Sequence, residues 1–211
     1  MKITKYGHSC LLVEDKDARV IIDPGYLSSG QNEVKNVDAV LITHEHPDHL
    51  DLGSLGAILS NNTEAKIITN LGVGKILEKE SITYQVLGHN KETEIKGIKI
   101  RGWGEKHAVL YPTIPQVDNT GYIINKKFFH PGDSFAYPVG SVDILALPLA
   151  GPWLKLLEAI DLAKEIKPRV AFPIHDGILK NPASIHKSSG DLLTSFGINF
   201  NPIQENESLE F

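Results

Sequence analysis

The feature that most constrains this chain is Thr43-His44-Glu45-His46-Pro47-Asp48-His49, which follows directly on the apolar run Val37-Asp38-Ala39-Val40-Leu41-Ile42. Pro47 disfavours a helix through the segment, because proline has no N–H to donate and its ring clashes with the preceding turn. The position four after His44 is Asp48, so a helical His-Glu-x-x-His zinc motif is excluded. What remains is a loop leaving the end of a short buried strand. Three imidazoles and two carboxylates fall in its last six positions. Neutral imidazole and carboxylate are ligands for zinc and other divalent transition metals, and a solvated surface seldom needs so many together. In extended or turn backbone His44 and His46 can point to one side, while Asp48 and His49 turn toward a neighbouring point. That arrangement suits two metals.

The rest of the chain reads as strands that each deliver something to such a site. Residues 2–6, 9–14 and 19–23 are expected strands, the last stopped by Asp23-Pro24-Gly25. Residues 25–36 read as loop. Helical spacing covers 50–60, 71–79 and 153–166, and Pro182 is a suitable first residue for a helix reaching about Phe196. Further strands are expected at 65–69, 82–86, 92–95, 97–103, 120–124, 127–130, 142–147, 169–174 and 208–211. His107 follows the strand ending near Trp103, Asp133 follows the one ending at His130, and His175 follows 169–174. Loops beyond strand ends converge on one rim of an α/β sheet, which is where ligands gather. The order of elements predicts two sheets packed face to face with helices outside, a four-layer α/β sandwich.

Composition narrows the partners. A single domain spanning 1–211 fits this length, and 41% hydrophobic with 22% charged residues is ordinary globular composition. A net charge of −5 gives no electrostatic footprint for nucleic acid. No apolar run has the length of a membrane span. Cys10 stands alone, so no internal disulfide is available; with no signal-like start, a cytoplasmic location is expected. A small-molecule substrate is the expected partner, and a homo-oligomer stays open.

His44-x-His46-x-Asp48-His49, with His107, Asp133 in His130-Pro131-Gly132-Asp133, and His175 in Phe172-Pro173-Ile174-His175, resembles the signature of the metallo-β-lactamase-fold hydrolase superfamily. Tyr6-Gly7-His8-Ser9 and Ile22-Asp23-Pro24 are similar to its small single-domain branch, which includes ascorbate-6-phosphate lactonase. The resemblance implies an αββα sandwich and two divalent ions, zinc first, with manganese or iron also suited. It assigns His44, His46 and His107 to one ion, Asp48, His49 and His175 to the other, and Asp133 as the bridge. Asp133 stands where the lactamases themselves often carry cysteine, as it does in phosphodiesterase and lactonase relatives. The implied reaction is hydrolysis of a small ester, lactone or phosphodiester by hydroxide held between the metals, with Asp48 as the catalytic carboxylate that orients it and carries a proton. The alternatives are an RNA-processing phosphodiesterase of the same fold, a diiron oxidoreductase, for which the chain has no room for the usual electron-transfer domain, and a non-catalytic metal-binding protein.

Other polar residues carry blander readings. His8 either orients a ligand or marks a strand break, and Asp23 either supports the site or shapes the turn before Pro24. His130 is expected to make a structural hydrogen bond, while His89 and His186 are expected at the surface. Tyr111, in the loop 104–118, is the expected substrate contact; Trp103 and Trp153 fit core packing at least as well.

Overall fold

The computed structural model describes residues 1–138, 140 and 142–211. The first half begins with three antiparallel strands, β1 (Lys2–Lys5), β2 (Leu11–Asp15) and β3 (Ala18–Ile22), then β4 (Ala39–Leu41), α1 (Leu52–Asn61), β5 (Lys66–Thr69), α2 (Leu71–Lys79) and β6 (Gln85–Val86). The second half runs β7 (Glu92–Ile95), β8 (Ile98–Trp103), β9 (Gly121–Ile124), β10 (Phe128–His130), β11 (Ile144–Pro148), α3 (Leu156–Ile166), β12 (Val170–Ile174), α4 (Ala183–Ser195), β13 (Asn199–Phe200) and β14 (Glu207–Glu210). One sheet has the order β14-β1-β2-β3-β4-β5-β6, the other β13-β12-β11-β10-β9-β8-β7.

The alternation of each strand sorts its side chains between two apolar layers. In β2, Leu11 and Val13 face the inter-sheet core, where they join Ile100, Tyr122, Phe128 and Phe172 of the opposite sheet. Leu12 faces outward, into a second layer with Ile21, Val40 and the α1 and α2 residues Leu55, Ile58, Val73 and Leu77. A third layer holds Phe129, Leu145 and Ala171 against Ile160, Ala163 and Leu193 of α3 and α4. These three layers make the αββα sandwich that the sequence implied. Each fully buried Leu or Ile contributes about 1.5–3 kcal/mol by leaving water, so the layers rather than the site hold the scaffold rigid.

Strand direction decides where the site lies. β1 runs antiparallel to β2 and β2 to β3, while β3 and β4 are parallel. β8 is antiparallel to β9 and β9 to β10, and β10, β11 and β12 are parallel. The C-terminal ends of β1, β3 and β4 therefore share a direction within one sheet, and those of β8, β10 and β12 within the other. The six loops that follow them carry His8, Asp23, the 43–49 segment, His107, Asp133 and His175.

Four readings of the sequence need correction. The helix expected from Trp153 begins at Leu156, because Leu154 N–H closes a turn on Gly151 O (3.2 Å) and the Glu158 carboxylate caps Lys155 N–H (2.8 Å). Trp153 is thereby freed from the helix. β13 was not expected: its two residues pair with Val170 and Ala171 in parallel and are too few to show a period. Within 82–86, Gln85–Val86 alone are strand, and 25–36 contain a short 3-10 turn at Gln31–Glu33.

Candidate metal centre

The loop after β4 is held open by its neighbours. Thr43 N–H and Oγ1–H both donate to the buried Asp23 carboxylate (2.7 Å each), and Thr43 O accepts from Asn70 Nδ2 (2.7 Å), whose own Oδ1 caps α2 through Val73 N–H (3.1 Å). Gly25 lies so close beneath the loop that an added Cβ would come within 1.9 Å of Asp48 O. Gly132 plays the same part before Asp133. It has φ +63, and an added Cβ would fall 2.3 Å from Asn119 Oδ1, the atom that accepts Asp133 N–H at 3.0 Å.

All seven donors expected from the sequence come together, in two groups. His44, His46, His107 and Asp133 offer atoms that lie within 4.8 Å of one another; so do Asp48, His49, His175 and an eighth residue, His8. The Asp133 carboxylate reaches both groups. Its Oδ2 is 3.3 Å from His107 Nε2, 3.8 Å from His44 Nε2 and 2.9 Å from His175 Nε2, and its Oδ1 is 3.2 Å from His49 Nε2. Asp48 Oδ2 lies 3.2 Å from His8 Nε2 and 3.4 Å from His175 Nε2.

Hydrogen bonds behind the rings choose the tautomers. His49 Nδ1–H donates to Asp23 Oδ2 (2.7 Å) and His107 Nδ1–H to Ala108 O (2.6 Å), while His44 Nδ1 meets Thr43 Oγ1 (3.0 Å). Each arrangement aims an Nε2 lone pair at the centre, as an outer carboxylate or carbonyl does for a metal-bound imidazole. Those Nε2 atoms of His44, His49, His107 and His175, with Asp133 Oδ1, are buried and make no hydrogen bond among the described residues. Buried polar atoms are nearly always paired, so this many orphans facing one another fits a cation between them.

The charge balance agrees. Burial is the largest influence on His44 and holds it well below the usual imidazole range, with His49 adding to the effect. Burial would depress His49 too, but Asp133 and Asp23 outweigh it and lift His49 well above that range. His175 is lifted to about 9 against its burial, by Asp133 and then Asp48. Burial would raise the Asp133 carboxyl, yet His49, His175 and His44 hold it well below its ordinary value. The carboxylates demand positive charge at this spot, and without an ion the imidazoles supply it as protons.

Several residues take roles that the sequence left open or misjudged. Asp23 supports the site as well as the turn. His8 is buried and faces Asp48. His130 makes the structural bonds expected of it: its Nε2–H donates to Ser9 O (3.1 Å), and its Nδ1 accepts Gly132 N–H (3.1 Å). His89 is exposed, as expected, though it accepts Gly104 N–H (3.1 Å). His186 is not a free surface residue, because it bonds the buried Asp176 (2.9 Å). Trp153, 7% exposed, sets its ring edge-on to His107 (5.5 Å) and His175 (5.6 Å) and forms a wall of the site. Tyr111 is 62% exposed.

A four-layer αββα sandwich with paired histidine–aspartate groups on the loops of one rim defines a metallo-β-lactamase-fold metal-dependent hydrolase. The chain belongs to the beta-lactamase superfamily: the family model described as Beta-lactamase superfamily domain matches residues 2–175. Protein Rv0786c of Mycobacterium tuberculosis is 35% identical over 184 residues, covering 85% of each chain. The UPF0173 metal-dependent hydrolase TV0864 of Thermoplasma volcanium is 28% identical over 83% of each chain. Among solved structures, Igni18, a metallo hydrolase of the archaeon Ignicoccus hospitalis, superposes with a TM-score of 0.76 at 21% identity, covering 100% of this chain and 98% of its own.

Proposed function

We propose that this protein hydrolyses a small ester, lactone or phosphodiester with two divalent cations held by His44, His46 and His107 on one side, by Asp48, His49 and His175 on the other, and by Asp133 between them. The observation that carries the reading is the set of buried, unpaired donor atoms converging from both groups. Zinc suits this imidazole–carboxylate set, as do manganese and iron. Bound there, the cations would bring the pKa of a water near neutrality and polarise the substrate oxygen.

The chain's own residues prepare the rest. Thr43 and Ala108 hold the His44 and His107 rings with Nε2 toward the centre, and Asp23 holds His49 in the same way, although His49 has to give up a proton as a cation binds. Asp48 turns Oδ2 toward His8 and His175, and its Oδ1 makes no hydrogen bond or ion pair among the described residues. That second oxygen is placed to accept a proton and pass it to a leaving group. Trp153 closes one side against water. The relatives named metal-dependent hydrolases support the reaction type.

A nuclease is less well supported. Lys164, Lys167 and Arg169 gather round a cavity of about 510 Å³, but this lies beside Asp143 and Arg169, where β11 and β12 begin, at the end of the sheet opposite the donors. The test is metal analysis of the purified protein, then turnover of a generic ester and a bis-aryl phosphodiester after loading with zinc, manganese or iron. Turnover that follows metal content is expected. Full loading with no turnover of either substrate would favour a metal-binding role.

A further inference from the structure

His8 and His175 share an unusual backbone. Both have left-handed φ, 41 and 58, although neither is glycine, and His175 N–H donates to His8 O (3.1 Å). Their rings lie 4.0 Å apart and both face Asp48 Oδ2. Such conformations are costly and persist where the surroundings over-determine them. Close packing contributes at His8, where a Cβ added to Gly177 would lie 3.1 Å from His8 Cβ. The turn also borders a cavity of about 220 Å³, lined by Lys5, His8, Gly177 and His186 among others.

A buried polar chain holds the His175 side of the turn. Lys5 Nζ, at the end of β1, donates to Pro173 O (2.9 Å) and to Asp176 Oδ1 (2.6 Å). It thus grips the chain on both sides of His175. The other oxygen of Asp176 accepts from His186 Nε2 of α4 at 2.9 Å. Lys5 and Asp176 are both buried, and a charge pair removed from water is retained at a cost unless it fixes something.

We infer that Lys5, Asp176 and His186 are positioning residues: a three-part clamp, from β1 through the turn after β12 to α4, that sets His8 and His175 for one of the two ions and leaves the other alone. The inference rests on the two-cation reading above. His44, His46 and His107 lie on loops the clamp does not touch, so its loss affects a single half of the centre.

The experiment is a zinc titration of the metal-free protein against a chromophoric chelator. Wild type is expected to bind in two steps. Asp176→Asn and His186→Leu should weaken one step about tenfold or more, the size typical of outer partners of metal ligands. His186→Gln, which can still donate to Asp176, should restore most of that affinity. In a His49→Asn background the clamp variants should add nothing; in a His107→Asn background they should still weaken the remaining step. Equal weakening of both steps, or none, in variants with unchanged far-UV dichroism overturns the clamp. Should Asp176→Asn fail to fold, the His186→Leu and His186→Gln pair decides alone. Wild type that binds no divalent ion overturns the metal centre and the clamp together; two steps in wild type with no selective loss overturns the clamp only.

Discussion

The two halves of the centre are built differently. The group around His44, His46 and His107 rests on residues fixed by short local bonds, to Thr43 next to His44 and to Ala108 next to His107. Burial keeps His44 and His46 below the usual imidazole range. The group around Asp48, His49 and His175 takes in two left-handed backbones, and its His49 and His175 are lifted above that range by carboxylates. His44 and His46 wait as neutral imidazoles, whereas His49 and His175 wait as imidazolium, with the buried His8 beside them held down to about 4 by its burial. A cation entering the first half finds lone pairs ready; a cation entering the second must displace protons.

The largest test of this contrast is Asp133→Ala, which removes the one carboxylate both halves use. Both ions should be lost and turnover should fall to background, measured by metal analysis after gel filtration. Retention of one ion with wild-type turnover would show the halves to be independent. Next in size, Asp48→Ala should lower kcat by about 10²–10⁴-fold as a proton carrier is lost, with a urea midpoint that reports a change of under about 1 kcal/mol. Full activity of that variant on a confirmed substrate would remove Asp48 from the mechanism. Asp23→Ala strips the acceptor from His49 and Thr43 at a fully buried position. Its cost should be about 3–5 kcal/mol in chemical denaturation, by analogy with a broken buried pair, with weaker binding of both ions.

The smallest effect is the most direct probe of the contrast. His175 has a folded pKa of about 9, above its ordinary 6.5. In metal-free protein its protonated form adds stability that is complete below about pH 6.5 and is lost as pH rises through about 9. The thermal midpoint of the metal-free protein should therefore decline across that window, and affinity for the second ion should rise across it, because fewer protons need displacing. Affinity for the first ion, where His44 and His46 are already neutral, should be much flatter there. Parallel pH profiles for the two ions would contradict the asymmetry.

How much of this could be read in the sequence depends on distance along the chain. His44, His46, Asp48 and His49 announce themselves because four donors crowd one strand end. His107, Asp133 and His175 were legible because each follows its own strand, and strands show a period. Asp23 was ambiguous because its partners Thr43 and His49 lie 20 and 26 positions on, and only the β3–β4 pairing brings them near. His186 looked superficial because nothing in a helix sequence reveals an acid on another element. Trp153 was assigned to a helix by its apolar neighbours, although the Glu158 cap starts that helix three residues later. Local pattern finds residues that act where they stand; it misses those whose role is to meet something distant.

The shared Asp133 carboxylate has a thermodynamic consequence for filling the site. If two cations bind as proposed, a single anion divided between them makes their binding equilibria one coupled system. Whatever factor the first ion imposes on the affinity of the second, the second must impose on the first. Since His49 and His175 give up protons as their side fills, hydrogen ion enters the same linkage as a third ligand. The fraction of protein carrying both ions is then a joint function of metal availability and pH, and the doubly loaded form gains or loses population more steeply than either site would alone.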